Sequence, residues 1–170
     1  EDSFTVTINS TVADNPNDVF ACDSYTLPAL SSGNEYYTGP NGTGTLLPAG
    51  TVITSTQTIY VFAQSGTVPN CTAENDFVVT IYNTPVPDAP TNVVACDSYT
   101  LPALTVGNYY TQTGGTGTQL VAGTVITSSQ TVYIYAQSGS SPNCTAENSF
   151  TITINSIVAQ TLSNVTNCDS

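Results

Sequence analysis

Ala21-Cys22-Asp23-Ser24-Tyr25-Thr26-Leu27-Pro28-Ala29-Leu30 decides the fold, because the chain writes it twice. Residues 95–104 repeat it letter for letter, and Asn167-Cys168-Asp169-Ser170 opens it once more. The cysteines carry the register: Cys22 to Cys96 is 74 residues, Cys71 to Cys144 is 73, and Cys96 to Cys168 is 72. A period near 73 means that whatever one copy does, the chain does in series. It also overrides the single domain that 170 residues would suggest by length alone.

Outward from that stretch, each copy reads as short strands punctuated by turns. Tyr25, Leu27 and Ala29 alternate, although Pro28 argues for an edge or a bulge. Gly39-Pro40-Asn41-Gly42 is the strongest hairpin-turn signal. Thr58-Ile59-Tyr60-Val61-Phe62-Ala63 recurs as Thr131-Val132-Tyr133-Ile134-Tyr135-Ala136, apolar or aromatic on both faces, which predicts a central strand. A last strand of alternating character follows at Phe77-Val78-Val79-Thr80-Ile81 and at Phe150-Thr151-Ile152-Thr153-Ile154. Residues 1–9 carry the same pattern, with Phe4, Val6 and Ile8 on one face.

Five to seven strands without helical periodicity predict an all-β fold: tandem small antiparallel Ig-like β-sandwich repeats. A β-solenoid would need a much shorter subperiod, and none is visible. The expected organisation is residues 1–9 as the last strand of a preceding repeat, 10–21 as linker and 22–82 as the first sandwich. A proline-bearing linker at 83–95 follows, with Pro85, Pro87 and Pro90, then a second sandwich at 96–155. Residues 156–170 would be a further linker and the start of another repeat. Part of each linker is alternatively the first strand of the next unit. The chain begins in mid-pattern without Met, as expected of a piece of a longer or processed chain.

Composition removes several functions. Twelve acidic residues stand against no Lys, Arg or His, so no basic footprint for nucleic acid exists. The same charge repels anionic lipid, and no apolar run reaches spanning length, so direct membrane insertion is not expected. Nucleophilic catalysis lacks its usual bases, and the carboxylates that remain recur only in part: Asp76 becomes Ser149, and Glu35 has no counterpart. An enzyme is not expected.

Five cysteines without a metal-type cluster point to disulfides in an oxidising compartment. Two pairings respect the repeat. Cys22 with Cys71 and Cys96 with Cys144 would staple each small unit internally and leave Cys168 for a partner elsewhere. Cys71 with Cys96 and Cys144 with Cys168 would lock the joints instead. The internal staple is the preferred expectation, because units of this size need help to fold.

Two weaker candidates remain. Asp14, Asp18 and Asp23, with Asn15, offer oxygen ligands for calcium at the first joint, although solvating charges on a linker are the plainer reading. No other cofactor is implied. Tyr36, Tyr37, Tyr109 and Tyr110 could form an aromatic platform for glycans. However, a Tyr-Tyr pair on a strand sends one ring in and one out, so core and cover is the plainer reading. Five Asn-x-Ser/Thr sequons, such as Asn70-Cys71-Thr72, matter only if the source glycosylates them.

The repeated text C-D-S-Y-T-L-P-A-L, A-G-T-V-I-T-S, Y-x-x-A-Q-S-G and N-C-T-A-E-N resembles the tandem stalk repeats of very large surface adhesins of Bacteroidota exported by type IX secretion. The resemblance covers nearly the whole chain and carries no catalytic motif. It implies an extracellular, cell-surface location and a spacer or filament role. The partners it implies are neighbouring repeats, with lateral self-assembly or surface glycans as further possibilities. The alternative is a multivalent, weakly glycan- or surface-binding module whose copy number supplies avidity.

One outcome follows from composition alone. Trypsin should leave the chain intact even in denaturant, because it has no Lys or Arg to recognise. Gel electrophoresis after overnight digestion checks this, and discrete tryptic fragments would contradict it.

Overall fold

The computed structural model describes residues 2–6, 8–66 and 68–157. It divides into two units, one holding residues up to Thr84 together with Ser138–Cys144, the other Pro85–Gln137 with the chain from Thr145 onward. The first unit contains β1 (Val19–Cys22), β2 (Tyr25–Thr26), β3 (Asn34–Gly39), β4 (Thr43–Leu47), β5 (Val52–Ile53), β6 (Gln57–Gln64) and β7 (Thr72–Tyr82). The second repeats them as β8 (Val93–Cys96), β9 (Tyr99–Thr100), β10 (Asn108–Gln112), β11 (Thr116–Leu120), β12 (Val125–Ile126), β13 (Gln130–Gln137) and β14 (Thr145–Asn155). Each is an Ig-like sandwich of a five-stranded and a two-stranded sheet, in the orders β1-β7-β6-β3-β4 with β2-β5, and β8-β14-β13-β10-β11 with β9-β12.

The strand with two apolar faces is central, as its sequence predicts. β6 pairs with β7 on one side and β3 on the other, burying Ile59, Val61 and Ala63 while Tyr60 and Phe62 stay half-buried. Leu27, just after β2, and Ile53, from β5, close the core opposite Tyr36, Phe77 and Val79. Leu101, Tyr109, Ile126, Val132, Ile134, Phe150 and Ile152 fill the second core at the corresponding positions. Each fully buried side chain of this size contributes roughly 1.5–3 kcal/mol.

The expected sandwich repeat is present, with its sheets mixed, because β1 pairs parallel with β7 and β8 parallel with β14. Of the two readings of the linker stretches, the first strand of the following unit holds: Val19–Cys22 and Val93–Cys96 are sheet strands, and Ala13 and Pro87 are buried in the units. Proline stiffness therefore acts inside the second unit, where Pro87 and Asp88 present their carbonyls to the Asn148 amide. Finally, the described residues of 1–9 form no strand. Phe4, Val6 and Ile8 are 88 %, 69 % and 86 % exposed, because no central strand lies beside them to accept a ladder. Cys168 and the rest of residues 158–170 lie outside the described residues.

Parallel pairing sets how the chain traverses each unit. Val19↔Val79 through Cys22↔Tyr82 align β1 with the end of β7, so both run the same way. Upstream of β1, the Ala13 carbonyl accepts from the Asn75 amide at 2.9 Å, near the start of β7. The chain therefore comes in at one pole and leaves at the other, beyond Tyr82. The second unit does the same with Ile152↔Val93 through Asn155↔Cys96.

The hairpin signal is met at Pro40–Asn41–Gly42–Thr43, where Asn41 (φ 58°) and Gly42 (φ 64°) are both left-handed and Thr43 N donates to the Pro40 carbonyl. Gly114 (φ 72°) and Gly115 (φ 66°) occupy the same places in the second unit. A methyl on Gly115 would meet Tyr135 Cδ1 at 2.6 Å, whereas Gly114 faces open space. Gly114→Ala should cost about 1 kcal/mol for its backbone alone, and Gly115→Ala about 2–4 kcal/mol because the ring must also move. Denaturant unfolding of the two variants checks this, and equal losses would contradict the ring contact.

Candidate functional site

The chemistry of this molecule concentrates where β1 and β7 end together. Cys22 closes β1 beside Tyr82, and the next residue turns left-handed: Asp23 has φ 62° and donates its N–H to the Tyr82 carbonyl at 2.8 Å. The Asp23 carboxylate then accepts from Thr84 Oγ1 at 2.6 Å and Thr84 N at 2.8 Å. Those two bonds, the hydroxyl's first, hold its carboxyl below the usual carboxylate range. A short, charged clasp thus fixes the direction in which the chain leaves the first unit.

Onto this pole comes the loop Ser138–Cys144, which is later in sequence but part of the first unit. The loop is shut at its base, Ser138 N donating to the Cys144 carbonyl at 2.9 Å and Cys144 N to Ser138 Oγ at 3.0 Å. Cys144 is buried, with its Sγ 3.8 Å from the Tyr82 carbonyl, and it is disulfide-bonded to Cys22 across a Cα–Cα distance of 5.6 Å. Cys71 and Cys96 are free thiols.

Neither expected pairing forms, and the register explains why. Cys71 precedes the first residue of β7, while Cys22 lies beside its last. Those eleven residues span about 34 Å, far beyond the 4.4–6.8 Å that a disulfide bridges. Cys144 and Cys96 stand in the same relation across β14. The staple within one repeat is excluded by geometry, and Cys71 and Cys96 do not join each other. The observed bond spans 122 residues, a closure worth roughly 5 kcal/mol on the chain-entropy account.

The candidate calcium ligands go to separate places. Asp14 Oδ2 accepts Ser31 N at 2.7 Å, Asp18 Oδ1 accepts Val78 N at 2.8 Å, and Asp23 holds Thr84. Among the described residues no group of three acidic, Cys or His side chains could hold a metal ion. Each carboxylate organises backbone instead. Glu74 and Glu147 do likewise for the hairpin turns, accepting Asn41 N and Gly114 N.

The tyrosines divide between the faces. Tyr36 and Tyr109 are buried against Phe77 and Phe150, ring centroids 6.1 and 6.2 Å apart. Burial pushes both phenols above their ordinary range, and neither hydroxyl has a hydrogen-bond partner. Tyr37 and Tyr110 lie on the other face, edge-on to Phe62 and Tyr135 at 6.2 Å. The four rings therefore build no common platform. Each unit has an open crevice beside the buried ring, of about 360 Å³ at Tyr36 and about 240 Å³ at Tyr109. Their polar linings differ, with Asn34 and Glu35 in one replaced by Gly107 and Asn108 in the other. A ligand shared by every repeat would need the same polar groups in each.

These features define a tandem Ig-like sandwich repeat with a disulfide at the pole where the chain leaves the unit. No protein-family model matches the chain, and no curated protein is similar to it. Among solved structures it is similar to protocadherin gammaB7 EC3-6 (12 % identity, 78 % of this chain and 41 % of that one, TM-score 0.30). Protocadherin Gamma B2 extracellular cadherin domains 1-5 gives 11 %, 81 %, 34 % and 0.32, and mouse cadherin-23 EC22-24 gives 9 %, 86 %, 64 % and 0.28. The chain thus spans less than two thirds of the length of each of these. At such TM-scores most of the path differs, and the fold stands on its own strand pairing.

Two outcomes are expected. Non-reducing peptide mapping with chymotrypsin and Glu-C should recover Cys22 linked to Cys144, with Cys71 and Cys96 open to alkylation; a Cys22–Cys71 peptide would contradict the register. Stability should also have an alkaline limit. Raised phenol pKa values leave it unchanged below the ordinary value near 10.0 and erode it above, as the unfolded chain ionises first. Tyr36→Phe and Tyr109→Phe together should flatten that fall in a melting series from pH 8 to 12, and an unchanged fall would contradict the assignment.

Proposed function

We propose that the chain is a spacer, part of the stalk of a long extracellular surface adhesin or filament that displays other domains at a distance. The observation that carries this is the parallel alignment of Cys22 with Tyr82, which takes the chain in at one pole and out at the other. A unit traversed from pole to pole is suited to lengthening an array, where a unit with adjacent termini would not be. The Cys22–Cys144 bond adds a mechanical role. Tension applied upstream of Cys22 passes through sulfur to Cys144, so residues 23–143 are outside the loaded path.

The disulfide supports an oxidising, extracellular location. The resemblance of the repeated text to type IX-secreted stalk repeats of Bacteroidota supports placing this spacer at the surface of such a cell. The differing crevices weigh against a glycan-binding role shared by every repeat.

Solution scattering on the oxidised chain tests the reading. A compact body of 170 residues has a radius of gyration of about 15 Å, and the spacer should exceed this clearly, with a profile of a rod rather than a sphere. A compact profile would overturn it.

A further inference from the structure

The Cys22–Cys144 bond has two half-built counterparts in the same chain. At the upstream pole, the loop ending in Cys71 is shut by the same clasp as its bonded relative. Ser65 N donates to the Cys71 carbonyl at 2.9 Å and Cys71 N to Ser65 Oγ at 3.0 Å. The Cys71 thiol lies 3.4 Å from the carbonyl of Asn9, which stands 73 residues before Tyr82. Cys71 thus holds against Asn9 the position that Cys144 holds against Tyr82. What differs is the neighbour: Tyr82 has β1 and its terminal cysteine beside it, and Asn9 has no strand.

The residues before Asn9 point to what belongs there. Phe4, Val6 and Ile8 sit 73 positions before Phe77, Val79 and Ile81, of which the first two are fully buried and the third packs on the core. An exposed segment with the sequence of a last strand lacks a sandwich body of the same kind, and such a body carries a cysteine at the end of its first strand.

The downstream pole shows the complementary half. Cys96 ends β8 beside Asn155 and is exposed. Asp97 repeats the left-handed turn at φ 63°, donating to the Asn155 carbonyl at 3.0 Å, while Ser98 N donates to the Cys96 carbonyl at 2.7 Å. These are the contacts around Cys22, where Asp23 N donates at 2.8 Å and Ser24 N at 2.6 Å.

We propose that Cys22–Cys144 is one rung of a continuous disulfide ladder, in which the strand-end cysteine of each repeat bonds the loop cysteine of the next. Cys71 receives the strand-end cysteine of a repeat on its upstream side, and Cys96 bonds the loop cysteine of a repeat on its downstream side. Both cysteines of every repeat are used, and no rung closes within a repeat. The inference rests on the tandem spacer reading and adds its covalent wiring. Each rung forms by exchange: a thiolate attacks an external disulfide oxidant, breaking its S–S bond and releasing one external thiolate. The second cysteine thiolate then attacks the protein sulfur of the mixed disulfide and expels the other. Two protons and two electrons leave the cysteines, and the oxidant is reduced to two thiols.

The test is the full chain with residues 83–155 inserted a second time after Asn155. The inserted copy carries Val94→Ile and Thr145→Ser, both at exposed positions, as mass tags. After refolding in a glutathione redox buffer, free thiols are counted and disulfide peptides mapped. The two added cysteines should add no free thiol, Cys22 should join the untagged Cys144, and the untagged Cys96 should join the tagged Cys144. A free untagged Cys96, its bonding to the Cys144 of its own repeat, or absence of the Cys22 rung would each overturn the ladder. An elongated scattering profile with Cys96 unbonded defeats the ladder and spares the spacer. A compact profile with the rung formed does the reverse.

Discussion

Everything distinctive here depends on one ladder, the parallel pairing of four residues of β1 with the last four of β7. Reversing that pairing would send the chain out near where it came in. Keeping it parallel places Ala13 near the beginning of β7 and Cys22 at its end. The two cysteines of a repeat then stand at opposite poles, separated by the length of β7. A bond within the repeat is impossible for the same reason that the chain enters and leaves the unit at opposite poles.

The core sustains this arrangement economically. Ile59, Val61, Phe77 and Val79 come from the two central strands, and Leu27 with Ile53 supplies the thin second layer. The second unit keeps the same positions, with Ile59 and Val61 exchanged for Val132 and Ile134, so the summed volume is held while the branching moves. Small cores of this kind leave a modest margin, and the disulfide widens it by restricting the unfolded chain. The carboxylates perform local tasks at turns and clasps, which is why an acidic chain without a single cation needs no ion pairs to fold.

Much of this was legible in the sequence. The period, the central strand at Thr58-Ile59-Tyr60-Val61-Phe62-Ala63, the Asn41-Gly42 turn and the division of Tyr36 from Tyr37 follow from alternation and turn chemistry. The direction of β1 was not legible, because a four-residue strand reads the same in parallel and antiparallel pairing. The disulfide was lost with it, since the two pairings drawn from the repeat joined only neighbouring cysteines, and the register pairs Cys22 one repeat further on. A signal was present: Thr72–Tyr82 is an unusually long strand with a cysteine just before it. The choice between linker and first strand was left open in the sequence, because polar residues and prolines surround the short Val19–Cys22 run. The aspartates misled because Asp14, Asp18 and Asp23 are close in sequence but cap different backbone segments.

The central claim is that load bypasses most of the chain through sulfur, and single-molecule stretching from the two termini tests it directly. With the bond intact, the 122-residue interval it closes should add nothing to the fully extended length. Reductant should then release about 430 Å of further contour, at about 3.6 Å per residue. A full-length extension before any reductant is added would contradict the account.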